Sequence, residues 1–310
     1  MGACTYDLRS LSDLLLGLVC ACAASVLFDL GVALQALEAR TTAHAQALRP
    51  SLLGRLARSR RWLAGTVLAG SGWPFHVAAL VLAPLTVVQP ALAIGLLLLL
   101  ALGDRMLGER VGAREVIAVA AIVVGVAGMA WAAPGHVSTH GGPARVGPAL
   151  AVIGAVALSP YLLRRRGIAP SLLVPLAAGC AFAFTGIASK LIADYLSSWS
   201  WPDLLLWGPI TGAFAGLGLL SEMSALQRRP ATQVVPIVFV VQICVPVLLA
   251  PFLGGESWAD TPLGGVALIA FLAAVAVGAW LLGSTRAVSG LIAAGHGGGE
   301  RERSAPASVG

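Results

Sequence analysis

Charge is what this chain of 310 residues has least of: 11% of its residues are Asp, Glu, Lys or Arg, against about 25% in an ordinary soluble domain. With 58% hydrophobic residues and a mean hydropathy of +0.88, a soluble globular fold is excluded. Lysine is all but missing, a single Lys190 beside nineteen arginines. No glycine-rich phosphate loop precedes that lysine, no histidine pair stands at metal-ligand spacing, and no nucleophile elbow occurs. Neither enzymatic chemistry nor a cofactor is therefore expected. The five cysteines, Cys4, Cys20, Cys22, Cys180 and Cys244, lack ligand spacing, and four of them lie in apolar stretches. They read as small packing residues rather than a disulfide frame.

What is abundant is apolar sequence in runs of membrane-crossing length, about 17 to 25 residues. Nine such stretches begin near Leu14, Trp62, Pro84, Val116, Gly147, Ser171, Leu204, Ala231 and Pro262, and end near Leu37, Leu82, Gly103, Trp131, Leu163, Ala193, Leu226, Leu253 and Gly283. Pro84 separates the second from the third, because proline cannot continue a helix cleanly. The start of the chain is not read as a signal peptide: Asp7 and Asp13 offset Arg9, and Asp29 and Gln35 belong to a longer span. The tail from Gly295 has too little apolar material to pack and is expected to be disordered.

The net charge of +6 reports topology rather than a nucleic-acid partner. With the amino terminus outside and nine crossings, seventeen arginines fall in inner loops and only Arg9 and Arg145 outside. Such separation is the positive-inside signature, and it requires an odd number of spans. The expected location is the cytoplasmic membrane, carboxy terminus in the cytoplasm, with lipid and a small-molecule or ion substrate as partners.

The chain is also written twice. Ala79, Leu80, Pro84, Thr86, Val88 and Pro90 recur at equal spacing as Ala225, Leu226, Pro230, Thr232, Val234 and Pro236. The pairs Gly108-Glu109 and Gly255-Glu256 then follow, with one residue of drift. Spans one to four pair with spans six to nine, which leaves span five as a linker. The expected fold is all-α: a polytopic membrane protein of about nine transmembrane helices in two inverted-topology repeats. The first repeat covers 1–146, the linker helix 147–166, the second repeat 167–285 and the tail 286–310. Inversion follows from parity, since the second unit enters the membrane five crossings after the first. Inverted repeats are a transporter architecture, with the binding site at the midplane between the halves.

An ionised group at the bilayer centre costs about 2.5 to 3.5 kcal/mol on insertion scales, so each one kept there calls for a partner or a use. Asp29 is the deepest acid, able to hold a proton, a cation or a cationic substrate group, or to pair with Lys190. Aligning Gly31 with Gly186 sets Gln35 opposite Lys190, which either holds an anionic substrate group or snorkels past Asp194 to water. Glu222, near the inner end of span seven, either lines the pathway or is solvated. Gln89, Gln233 and Gln242 flank Pro90, Pro236 and Pro246, where broken helical turns can expose carbonyls. Asp29, Gln35, Gln89, Lys190, Glu222 and Gln242 thus form the expected substrate-binding set, with any metal role left open. His76 reads as packing, and Glu109 and Glu256 as helix caps or inter-loop partners. Gly208, Gly212 and Gly216 mark a face of span seven where another helix is expected to approach closely.

The stretch APLTVVQPALAIGLLLLLALGDRMLGERVGAREVIAVAAIVVGVAG resembles the latter part of a repeat in the drug/metabolite transporter superfamily, of the EamA-like kind. There a proline-bearing helix leads to a Gly-Glu pair and then a glycine-rich span. The segment FDLGVALQALEAR further resembles bacterial relatives of the NIPA-type magnesium transporter branch. The resemblance implies a secondary transporter working by alternating access on a small metabolite, drug-like compound or cation. A magnesium pathway and a non-transporting membrane scaffold are the alternatives. Ten spans are usual in that superfamily, so each repeat here lacks one and a linker helix is kept.

Overall fold

The computed structural model describes residues 8–42, 47–83, 85–132, 142–165, 172–197, 199–254 and 262–282. Among them no strand occurs, and the helices follow the apolar runs. They are α1 (Leu8–Thr41), α2 (Pro50–Leu56), α3 (Arg60–Leu82), α4 (Leu85–Leu107), α5 (Ala113–Ala132), α6 (Gly142–Arg165), α7 (Leu173–Ser197), α8 (Trp201–Leu226), α9 (Ala231–Gly254) and α10 (Val266–Leu282). Among the described residues each of the nine apolar stretches follows one long helix, the ninth after a 3-10 turn at Pro262–Gly265, and α2 is a short amphipathic addition in the first arginine-rich loop. Among the described residues six helices, α1, α4, α5, α6, α8 and α9, contain windows long and apolar enough to cross a membrane. The chain is thus an all-helical, multi-pass membrane protein. Val67, Val81 and Leu205, 71%, 80% and 75% exposed, are among the apolar side chains left for lipid to cover.

Local chemistry sets the helix ends. Ser59 caps α3 by accepting from the Trp62 amide at 3.4 Å. At the other end Ala83 is extended (φ −137°, ψ 149°), the conformation imposed on a residue that precedes proline, and α4 begins two residues later. Two helices rather than one kinked helix are therefore the outcome, although Pro84 itself lies outside the described residues. Helix α4 ends at Gly108, whose φ of +61° is open to glycine but strained for other residues, and the turn carries Glu109 back until its amide donates to the Gly103 carbonyl at 2.9 Å.

The expected repeats correspond to a first half, α1–α5, and a second, α7–α10; packing crosses that division at α2, which touches α8, and at α10, which lies against α5. Helix α1 lies mainly on α3 and α4, and α7 mainly on α8 and α9. Helix α6 joins the second half, where Leu150 and Ile153 share an apolar cluster with Phe184 and Ile187 of α7, and the Tyr161 hydroxyl meets that of Ser221 at 2.8 Å. Close helix contact is made where glycine removes a side chain. A Cβ on Gly31 would stand 2.7 Å from the Gly65 carbonyl across α1 and α3, and one on Gly278 would stand 2.6 Å from the Ala118 carbonyl across α10 and α5. The halves meet through an apolar cluster of α4, α5, α9 and α10 that includes Leu99, Ile122, Val240, Leu268 and Val275.

One expectation is corrected here. A Cβ on Gly208, Gly212 or Gly216 would touch nothing within 4 Å, so no described helix lies against that face of α8. The four-residue spacing did place the three glycines on one side; what covers that side is not encoded in the spacing.

Candidate functional site

Asp29 sits in the third quarter of α1, 7% exposed, on the helix face that continues through Val32 and Ala36. One turn before it, Ser25 directs its hydroxyl to Asp29 Oδ2 (3.4 Å) and to the Leu92 carbonyl of α4 (3.3 Å). Gly95 of α4 makes the room: a Cβ there would fall on the Ser25 hydroxyl and 2.5 Å from Asp29 Oδ2. Carboxylate, hydroxyl and helix carbonyl therefore converge where α1 crosses α4. Asp29 has no ion-pair partner among the described residues. Two turns on, Ala36 packs with Leu220 and Met223 of α8 and Val234 of α9, so this face of α1 leads to the boundary between the halves.

Among the described side chains, none of the other expected site residues hydrogen-bonds to Asp29. Gln35 donates to the Thr66 hydroxyl on α3 at 3.0 Å, within its own half. Glu222 is buried on α8 and Gln242 half-buried on α9, and neither has a hydrogen-bond partner among the described residues. The side chains of Gln89 and Lys190 lie outside the described residues, so the Asp29–Lys190 pairing is not described. Gln233, at the start of α9, is buried. His76 packs edge-on to Phe28 at 6.3 Å, and its buried Nδ1 has no hydrogen-bond partner among the described residues.

A second polar centre surrounds Glu109. Glu109 is a cap, but for a helix of the other half. Its carboxylate accepts from the Ala231 amide (2.6 Å), the Thr232 amide (2.9 Å) and the Thr232 hydroxyl (2.5 Å), at the beginning of α9. Arg40, from the end of α1, pairs with the same carboxylate and donates to the Leu107 carbonyl at 3.2 Å. Around it, Gln227 donates to the Thr42 hydroxyl (2.6 Å), the Leu48 amide to the Ser224 hydroxyl (2.8 Å), and the Trp62 indole to Met223 Sδ (3.4 Å). The Gly-Glu pair and the neighbouring arginines were the available signals; the partner of Glu109, 122 residues away, had none. Glu256, its sequence counterpart, lies outside the described residues.

These contacts share one end of the bundle, where α1 and α4 finish, α3 begins and α8 turns into α9. Arg40, Arg110, Arg228 and Arg229 line a cavity of about 370 Å³ there together with Glu109. No family model, curated protein or solved structure matches this chain.

Proposed function

We propose that this protein is a secondary transporter of the cytoplasmic membrane, similar in design to the drug/metabolite transporters, that moves a small metabolite, drug-like compound or cation by alternating access. Asp29 is the group that takes the proton, the cation or the cationic part of the substrate. The observation that carries the reading is its setting: a buried carboxylate within a membrane-crossing helix, given space by Gly95 and supported by one serine. A charge at that depth is costly, so its retention points to use.

The two halves support the reading by their asymmetry. In the register that sets Gly31 with Gly186 and Pro90 with Pro236, Asp29 and Gly95 correspond to Phe184 and Val241. Both of these belong to the apolar cluster of the second half. A polar contact kept in one unit and filled with hydrocarbon in the other is what a single site in a duplicated scaffold would leave. In this reading the nine long helices are nine crossings, the second unit is inverted, and the arginine-bearing end is cytoplasmic.

A second reading, a magnesium or other divalent-cation pathway, draws on the oxygens of Asp29, Ser25 and Leu92, the donor type a hard cation prefers. Among the described residues no three His, Cys, Asp or Glu side chains gather, so such an ion would keep most of its water. Purified protein is first screened by thermal shift against amines, metabolites and Mg²⁺, and the stabilising compounds are then followed into proteoliposomes. Asp29→Asn is expected to reduce their flux at least a hundredfold with membrane insertion unchanged. Undiminished flux in that variant removes Asp29 from the mechanism, and Mg²⁺ stabilisation that vanishes with it selects the second reading.

A further inference from the structure

The first turn of a helix leaves amides without partners, and the residue just ahead usually supplies a side-chain oxygen to meet them. Ahead of α9 that residue is Pro230, which has none. Glu109 from the opposite half fills the role, engaging two amides and the Thr232 hydroxyl, and Arg40 holds the carboxylate from the α1 side. A negative group at a helix beginning is favoured by the aligned peptide dipoles as well. Three elements, α1, the α4–α5 turn and α9, are thus fastened at one point.

The remainder of the boundary is of another kind. Away from this end, α4 and α5 meet α9 and α10 through Leu99, Ile122, Val240 and Val275, contacts that are not directional. Apolar surfaces can slide or tilt with gradual loss, whereas a carboxylate seated on two amides is either in place or out of it. The cavity of about 370 Å³ lies beside the fastening and is bordered by Glu109 and Arg40 themselves. Water entering it from the arginine-bearing side can take over the amides when Glu109 leaves, so separation need not strand buried polar groups.

We infer that Glu109 and Arg40 form the latch of an inner gate, which is shut in this conformer and must come off the first turn of α9 before a substrate can pass to the arginine-bearing side. The inference rests on the transporter reading for its purpose, though the latch itself is defined by the contacts above. Gly108 belongs to the device, because its positive φ aims Glu109 at α9. Arg40 is a positioning residue, keeping the carboxylate in line while staying anchored to the Leu107 carbonyl.

The test uses the full chain, with its native cysteines replaced and a single reporter, Ser224→Cys, at a position 2% exposed on the boundary. Inside-out vesicles are treated with a membrane-impermeant maleimide. Glu109→Gln is expected to speed labelling at least tenfold, Arg40→Gln less, and Glu109→Asp to fall between parent and Glu109→Gln. Exchanging the pair as Arg40→Glu with Glu109→Arg is expected not to restore protection, because an arginine cannot accept from the α9 amides. Equal labelling in parent and Glu109→Gln overturns the latch. So does an equal acceleration at Ala183→Cys, buried within the second half, since that reports general loosening. Selective acceleration at Ser224→Cys in a protein that moves no compound keeps the latch and defeats the transporter reading instead.

Discussion

Replacing Gly95 with alanine tests the contact at Asp29 with a single methyl group. The new Cβ would land on the Ser25 hydroxyl and stand 2.5 Å from Asp29 Oδ2, with Ser25 Cβ at 3.0 Å. The least disruptive response is rotation of the serine, which gives up its bonds to Asp29 and Leu92. Those bonds are long, 3.4 and 3.3 Å, so their direct loss is at the low end of the usual about 0.5 to 1.5 kcal/mol each. The larger part is the unsupported carboxylate and the crowding, bringing the total to about 2 kcal/mol. At about 2 °C per kcal/mol for a chain of this size, the melting midpoint followed by tryptophan fluorescence should fall by about 4 °C. Ser25→Ala alone should lower it by about 2 °C, costing about 1 kcal/mol. The double variant should stay near the Gly95→Ala value, because the same hydroxyl is lost only once; the shortfall from additivity is the coupling of the pair. A Gly95→Ala protein melting within about 1 °C of the parent, or a double variant showing the full sum, would refute the geometry.

Gly278→Ala, whose Cβ would meet the Ala118 backbone, should cost about 2 to 3 kcal/mol by the same melt. Gly212→Ala, with nothing within 4 Å, should be neutral or stabilising by up to about 1 kcal/mol; the opposite ranking would mean the α5–α10 crossing is misplaced. Reporter fusions at the two ends of the chain should appear on opposite sides of the membrane, and finding both on one side would break the odd count of crossings and with it the inversion of the halves.

Span-level features were legible because they depend on one signal, a sustained apolar run, and on punctuation such as Pro84. Glu109 could be read as a cap because a glycine that reverses the chain and an acid beside it are local facts. Which helix it caps is not local. The acceptor amides belong to Ala231 and Thr232, and nothing in either segment names the other. Ser25 and Gly95 escaped notice for a related reason: a serine and a glycine in an apolar helix become informative only once the helix opposite is known. The stripe of Gly208, Gly212 and Gly216 shows the converse, a clear helical face with no indication of its neighbour.

Helix α9 borrows its first-turn acceptor from a residue made long before it. During synthesis the α4–α5 turn emerges well ahead of Ala231, so the acceptor is already placed when the later helix arrives. Biogenesis accordingly has a preferred direction. The later segment, expressed separately, would start α9 behind a proline with two bare amides facing lipid or water.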